Sequence, residues 1–82
     1  MTFREEDYVE VRELPGLIWQ VFEKSQVNTY TLNLWYEPEG WIPPAGKRFL
    51  YEVLKSGDLV DEIELIEPNP MEVLAVEASR TG

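Results

Sequence analysis

Carboxylates are the one abundant reactive group in this chain: sixteen Asp and Glu stand against seven Lys and Arg, with no His and no Cys, for a net charge of -9. That composition removes the commonest general base, the commonest thiol nucleophile and nearly every zinc arrangement. Any catalysis would rest on acids alone. The best-spaced pair is Glu62 and Glu64, which on one strand face would stand about 6.8 Å apart, twice the residue rise, a separation that paired-carboxylate chemistry can use. Nothing around them suggests a substrate cleft, and no Asp-x-Asp-x-Asp-Gly loop offers acids to calcium. The expectation is a protein that is not an enzyme and uses no metal or cofactor, with Asp61, Glu62 and Glu64 forming an acidic surface.

Aromatic side chains are the second lead. The pattern leaves Trp35 on the polar face of its strand, Trp41 in the middle of a proline-rich loop, and Tyr8 on the charged face of the first strand. Exposed Trp and Tyr are enriched at binding hot spots. Trp35, Trp41, Tyr8 and the loop prolines Pro43 and Pro44 are therefore the candidate partner-binding residues. The alternative for Trp41 is structural, with the loop folding over and the indole plugging the open end of a barrel.

Strands must position both groups. The cleanest alternation is Asn28 to Tyr36, where Tyr30, Leu32, Leu34 and Tyr36 share one face and Thr31, Asn33 and Trp35 the other, the two-residue period of a half-buried strand. It is expected to be the central strand. Before it, residues 1–6 read as a solvated lead-in, and residues 7–13 as a first strand with Val9 and Val11 inward. Leu14-Pro15-Gly16 supplies a turn. The second strand, residues 17–24, is apolar at nearly every position and so fits burial on both sides. The connection from Glu37 to Lys47 holds Pro38, Pro43, Pro44, Gly40 and Gly46 and is long for a compact domain. Phe49 to Leu54 is expected as a fourth strand ended by Ser56-Gly57-Asp58, and Leu59 to Glu67 as a fifth, with Ile63 and Leu65 inward. Residues 69–79 open with Asn69, Pro70 and Glu72, a helix-start pattern, while Val73 and Val76 leave a sixth strand open.

Eighty-two residues make a single domain, 1–82, with the barrel in 7–67. A core of this size yields only about 3–5 kcal/mol of net stability. With 44% hydrophobic residues and ten aromatics, the composition is that of a folded domain. The charge argues against direct contact with nucleic acid or anionic lipid and favours a protein partner with a basic surface, although acidity also keeps a small aromatic-rich domain in solution. The first residues form no apolar signal core, and no run approaches the ~20 apolar residues of a membrane span. The expected compartment is the cytoplasm. Oligomeric state is left open.

Five short strands with a turn signal every eight to twelve residues indicate a mainly β fold, a small five-stranded antiparallel barrel with a short C-terminal helix or sixth strand. Glu6-Asp7-Tyr8-Val9-Glu10-Val11, then Pro15-Gly16, then Ile18-Trp19-Gln20-Val21 resembles the first hairpin of SH3-like barrels of the KOW and Tudor kind. Gly57-Asp58-Leu59 through Glu64-Leu65-Ile66-Glu67-Pro68 resembles their closing strand. Glu6 stands where such barrels usually have glycine, and the loops are acidic where the nucleic-acid-binding members are basic. The resemblance thus implies a fold and carries over no binding residue. Two functional classes follow: a protein-interaction or assembly module using the aromatic and proline surface, and an acidic mimic of nucleic acid that blocks a DNA- or RNA-binding protein.

Overall fold

The sheet is built around the second strand, whose first residues, Ile18 and Trp19, are buried on opposite faces. In a computed structural model, which describes residues 3–26, 29–57 and 63–81, the chain forms β1 (Tyr8–Val11), β2 (Ile18–Gln26), β3 (Thr29–Tyr36), α1 (Arg48–Lys55), β4 (Leu65–Ile66) and α2 (Pro70–Thr81). The sheet order is β3-β2-β1-β4. All neighbours are antiparallel, with Val9 opposite Trp19, Val21 opposite Leu32, and Val11 opposite Leu65. Three strands in succession and a fourth returning beside the first make a Greek key. The return runs through the 37–47 loop and α1.

The architecture is mainly β with a C-terminal helix, but the described residues form an open four-stranded sheet where a five-stranded barrel was expected. Three differences account for this. The strand expected to be central, β3, lies at the sheet edge; its clean alternation reports one buried face, whereas Ile18 and Trp19 of β2 are both buried, the mark of an interior strand. The expected fourth strand, Phe49–Leu54, is helical. Leu50, Tyr51 and Leu54 turn inward at spacings that one helix face satisfies, and the Ser-Gly step that looks like a hairpin tip ends the helix instead. Gly57 takes φ +88° and its N–H bonds the Leu54 carbonyl at 3.1 Å, the left-handed cap that glycine adopts without strain. Of the expected fifth strand only Leu65–Ile66 is seen as strand; residues 58–62 lie outside the described residues.

The core lies on one face of the sheet. Val9, Val11, Leu17, Trp19, Val21, Tyr30 and Leu32 point toward Tyr51 and Leu54 of α1, with Leu34, Ile63 and Leu65 partly buried at its margin. Phe3, in the stretch expected to be a solvated lead-in, joins this core, edge-on to the Tyr30 ring at 6.5 Å. The Tyr30 hydroxyl accepts the Phe3 backbone N–H at 3.2 Å.

The opposite face carries α2. Asn69 caps that helix, its side-chain oxygen accepting the Met71 N–H at 2.9 Å. Val73, Val76 and Arg80 recur at helical spacing along the side toward the sheet: both valines are buried, and the Arg80 guanidinium lies 4.5 Å from the Trp35 ring centroid. No helix among the described residues is long and apolar enough to cross a membrane.

Candidate functional site

Trp41 and Trp35, grouped together from the sequence, are held on different faces of the sheet. Trp41 packs against the core on the α1 side, its ring 5.1 Å from that of Tyr51. The indole N–H donates to the Pro15 carbonyl at 2.8 Å. This ties the long loop to the β1–β2 turn, and the fit is close: a Cβ added to Gly16 would sit 3.2 Å from the indole nitrogen. Gly16 also has φ +95°, so both the turn and the approaching ring need glycine there.

The loop itself is two successive tight turns. The Trp41 N–H bonds the Pro38 carbonyl at 3.1 Å and the Lys47 N–H bonds the Pro44 carbonyl at 3.0 Å. Between them Pro43 is half-buried, while Ile42 and Pro44 face solvent. At the loop's start, Tyr51 donates its hydroxyl proton to the Glu37 carboxylate at 2.5 Å and accepts from the Lys55 ammonium at 3.3 Å. The bond to Glu37, followed by burial, raises the Tyr51 pKa against the opposing effect of Lys55. Lys47 lies 3.9 Å from Glu13, a second tie between the loop's end and the β1–β2 turn.

Trp35 and Tyr8 stack on the α2 side, ring centroids 4.4 Å apart. Arg80 closes the stack from above, and its guanidinium also donates to the Trp35 carbonyl. All three candidate aromatics are therefore half-buried and used within the fold. What the sequence reading missed is Ile42 and Phe49, the two most exposed of five large apolar side chains left outside among the described residues, the others being Phe22, Met71 and Leu74. Phe49 could have been found by reading residues 48–55 as a helix, because it then falls opposite Leu50, Tyr51 and Leu54.

The acids are dispersed. Glu64 pairs with Arg12 at 2.6 Å, while Asp61 and Glu62 lie outside the described residues. Among the described residues no group of three or more Asp and Glu is arranged to hold a metal ion. Among the described acids, Glu10 has its pKa raised, by burial first and by Glu72 of α2 second, against a hydrogen bond from the Gly16 backbone. No family model, curated protein or solved structure matches the chain.

Proposed function

We propose that this chain is a small non-catalytic interaction module that binds a protein partner through the outer surface of the 37–47 loop and the first turn of α1. The observation that carries the reading is the exposure of Ile42 at 78% and Phe49 at 82%, with solvent-facing Pro44 between them in sequence. Single exposed apolar residues are ordinary. Here two large ones lie on a segment whose own tryptophan is locked inward, so the loop is held in shape before any partner arrives. A pre-shaped loop loses less conformational entropy on binding. Trp41 then acts as the loop's anchor, and Pro43 and Pro44 stiffen the surface it presents. The SH3-like character of the first hairpin belongs to the same proposal, supported by the antiparallel β1–β2 pairing and the positive-φ Gly16 turn.

The test compares native protein with an Ile42→Asp/Phe49→Asp double variant in affinity capture from the source cell, with thermal melts of both. Because both side chains are exposed, the melt should be unchanged while the captured partner is lost. Capture of the same proteins by the folded double variant would overturn the reading.

A further inference from the structure

Where β4 parts from β1, the fold opens a cavity. The ladder pairs Val11 with Leu65 and Glu10 with Ile66; continued by two more residues, it would bring Pro68 opposite Tyr8, but proline has no N–H to donate. The chain turns away into α2 and leaves a hollow of about 480 Å³, open to solvent. This lies within the roughly 300–1,000 Å³ range of small-ligand sites. Phe3 and Val73, both buried, contribute to its lining, with Tyr8, Pro68 and Leu74 as further walls.

Asp7 and Glu67, both exposed, and Pro70 also line it, and none of its lining side chains among the described residues is basic. One oxygen of Asp7 accepts the Arg4 backbone N–H at 2.9 Å. Two aromatic rings and two carboxylates around an apolar hollow suit an organic cation, whose charge the acids meet while its carbon body covers the rings. The adjoining stack already behaves this way: Tyr8 rests on Trp35, and Trp35 takes the Arg80 guanidinium on its face. At the cavity's rim, Leu74 and, one helical turn before it on α2, Met71 are 59% and 71% exposed. A small amine would leave that apolar shoulder uncovered, whereas residues flanking a basic side chain in a polypeptide would cover it.

We propose that this cavity receives a basic side chain, lysine or arginine, presented by an apolar segment of a protein partner. The site is separate from the loop surface, lying on the α2 side of the sheet, and its success or failure is independent of that reading. The net charge of -9 would draw such a partner in.

The experiment is an amide chemical-shift titration of the full chain with the blocked peptide Gly-Leu-Lys-Leu-Gly, its acetyl-lysine counterpart, and n-butylamine. The lysine peptide should shift the amides of Tyr8, Val73 and Leu74, and bind at least tenfold more tightly than the acetylated one. Glu67→Gln should weaken it by a similar factor without altering the melt, since Glu67 makes no hydrogen bond to another described side chain; Asp7→Asn should do the same, with the Arg4 turn checked by its own amide shifts. Equal binding of the acetylated peptide, or no loss in Glu67→Gln, would overturn the proposal. So would n-butylamine matching the peptide's affinity, which would mark a small-amine site, or shifts confined to other residues.

Discussion

At the scale of single residues, Trp41 and Glu10 make the sharpest statements. Trp41→Phe keeps the ring against Tyr51 and deletes the N–H that Pro15 accepts, so it should cost about 1 kcal/mol, read as a lower melting temperature. Gly16→Ala should cost at least as much, about 1 kcal/mol or more, because it both strains the turn and pushes on the indole. For Glu10 the sign follows from its raised pKa. Between the ordinary carboxylate value and the raised folded value the native state holds more proton than the unfolded state, so stability falls as pH rises through that window. Glu10→Gln should therefore melt higher than native protein at neutral pH, with the advantage disappearing below the ordinary carboxylate range. Melts across acidic to neutral pH check this. Tyr51 works at the other end of the scale: its bond to Glu37 favours the protonated phenol, a stabilisation present below the ordinary tyrosine value and lost as pH rises through the raised one. Trp19 is a different case, with its buried indole N–H finding no acceptor among the described residues. An orphaned donor of this kind costs roughly 1–3 kcal/mol, which offsets part of what the ring contributes by burial.

Among the elements, α1 and α2 differ in how they are held. The α1 helix sends Tyr51 and Leu54 into the main core, and Leu54 is fully buried. Leu54→Ala should destabilise by about 2–5 kcal/mol, a large share of what a domain this small possesses. Two valines and the Arg80 contact hold α2 to the other face. Arg80→Ala should release the last turn of α2 and expose Trp35, costing about 0.5–1 kcal/mol and shifting tryptophan emission to the red. Unchanged emission would mean that the guanidinium does not cover the ring in solution. Because Trp35 and Trp41 serve different faces, this variant should leave the loop surface and its binding untouched.

For the molecule as a whole, the question is how its acidity is spent. A decoy that replaced about six to ten phosphates would lose roughly 10³–10⁵ in affinity between about 50 and 200 mM salt. The loop reading expects a much flatter dependence, because desolvation of Ile42 and Phe49 supplies the affinity and charge serves mainly the approach. Replacing Asp61, Glu62 and Glu64 by Asn or Gln should accordingly leave partner binding near its native value. Arg12 already neutralises Glu64, and Lys47 approaches Glu13, so these two acids meet an internal cation, while the net charge of -9 is carried by the rest.

By itself the sequence determined the elements whose signals are local. The first strand follows from alternation, the second from an apolar run bounded by turn signals, and the turn at Pro15-Gly16 from turn chemistry, since backbone geometry at these sites depends on near neighbours. The inward set Val9, Val11, Leu32 and Leu34 was legible for the same reason. Asn69 and Pro70 marked a helix start but left a sixth strand open, which the fold resolved as helix. Tertiary structure decided the rest. Residues 48–55 carry an apolar pattern that either period can hold, and contact with the core chose the helix. Whether β3 lay at the centre or the edge depended on which strand returned beside β1, a long-range pairing that no local pattern encodes. The roles of Tyr8, Trp35 and Trp41 turned on partners far along the chain, Arg80 and Pro15 among them. A large side chain on a polar face reads as exposed until the segment that covers it is known.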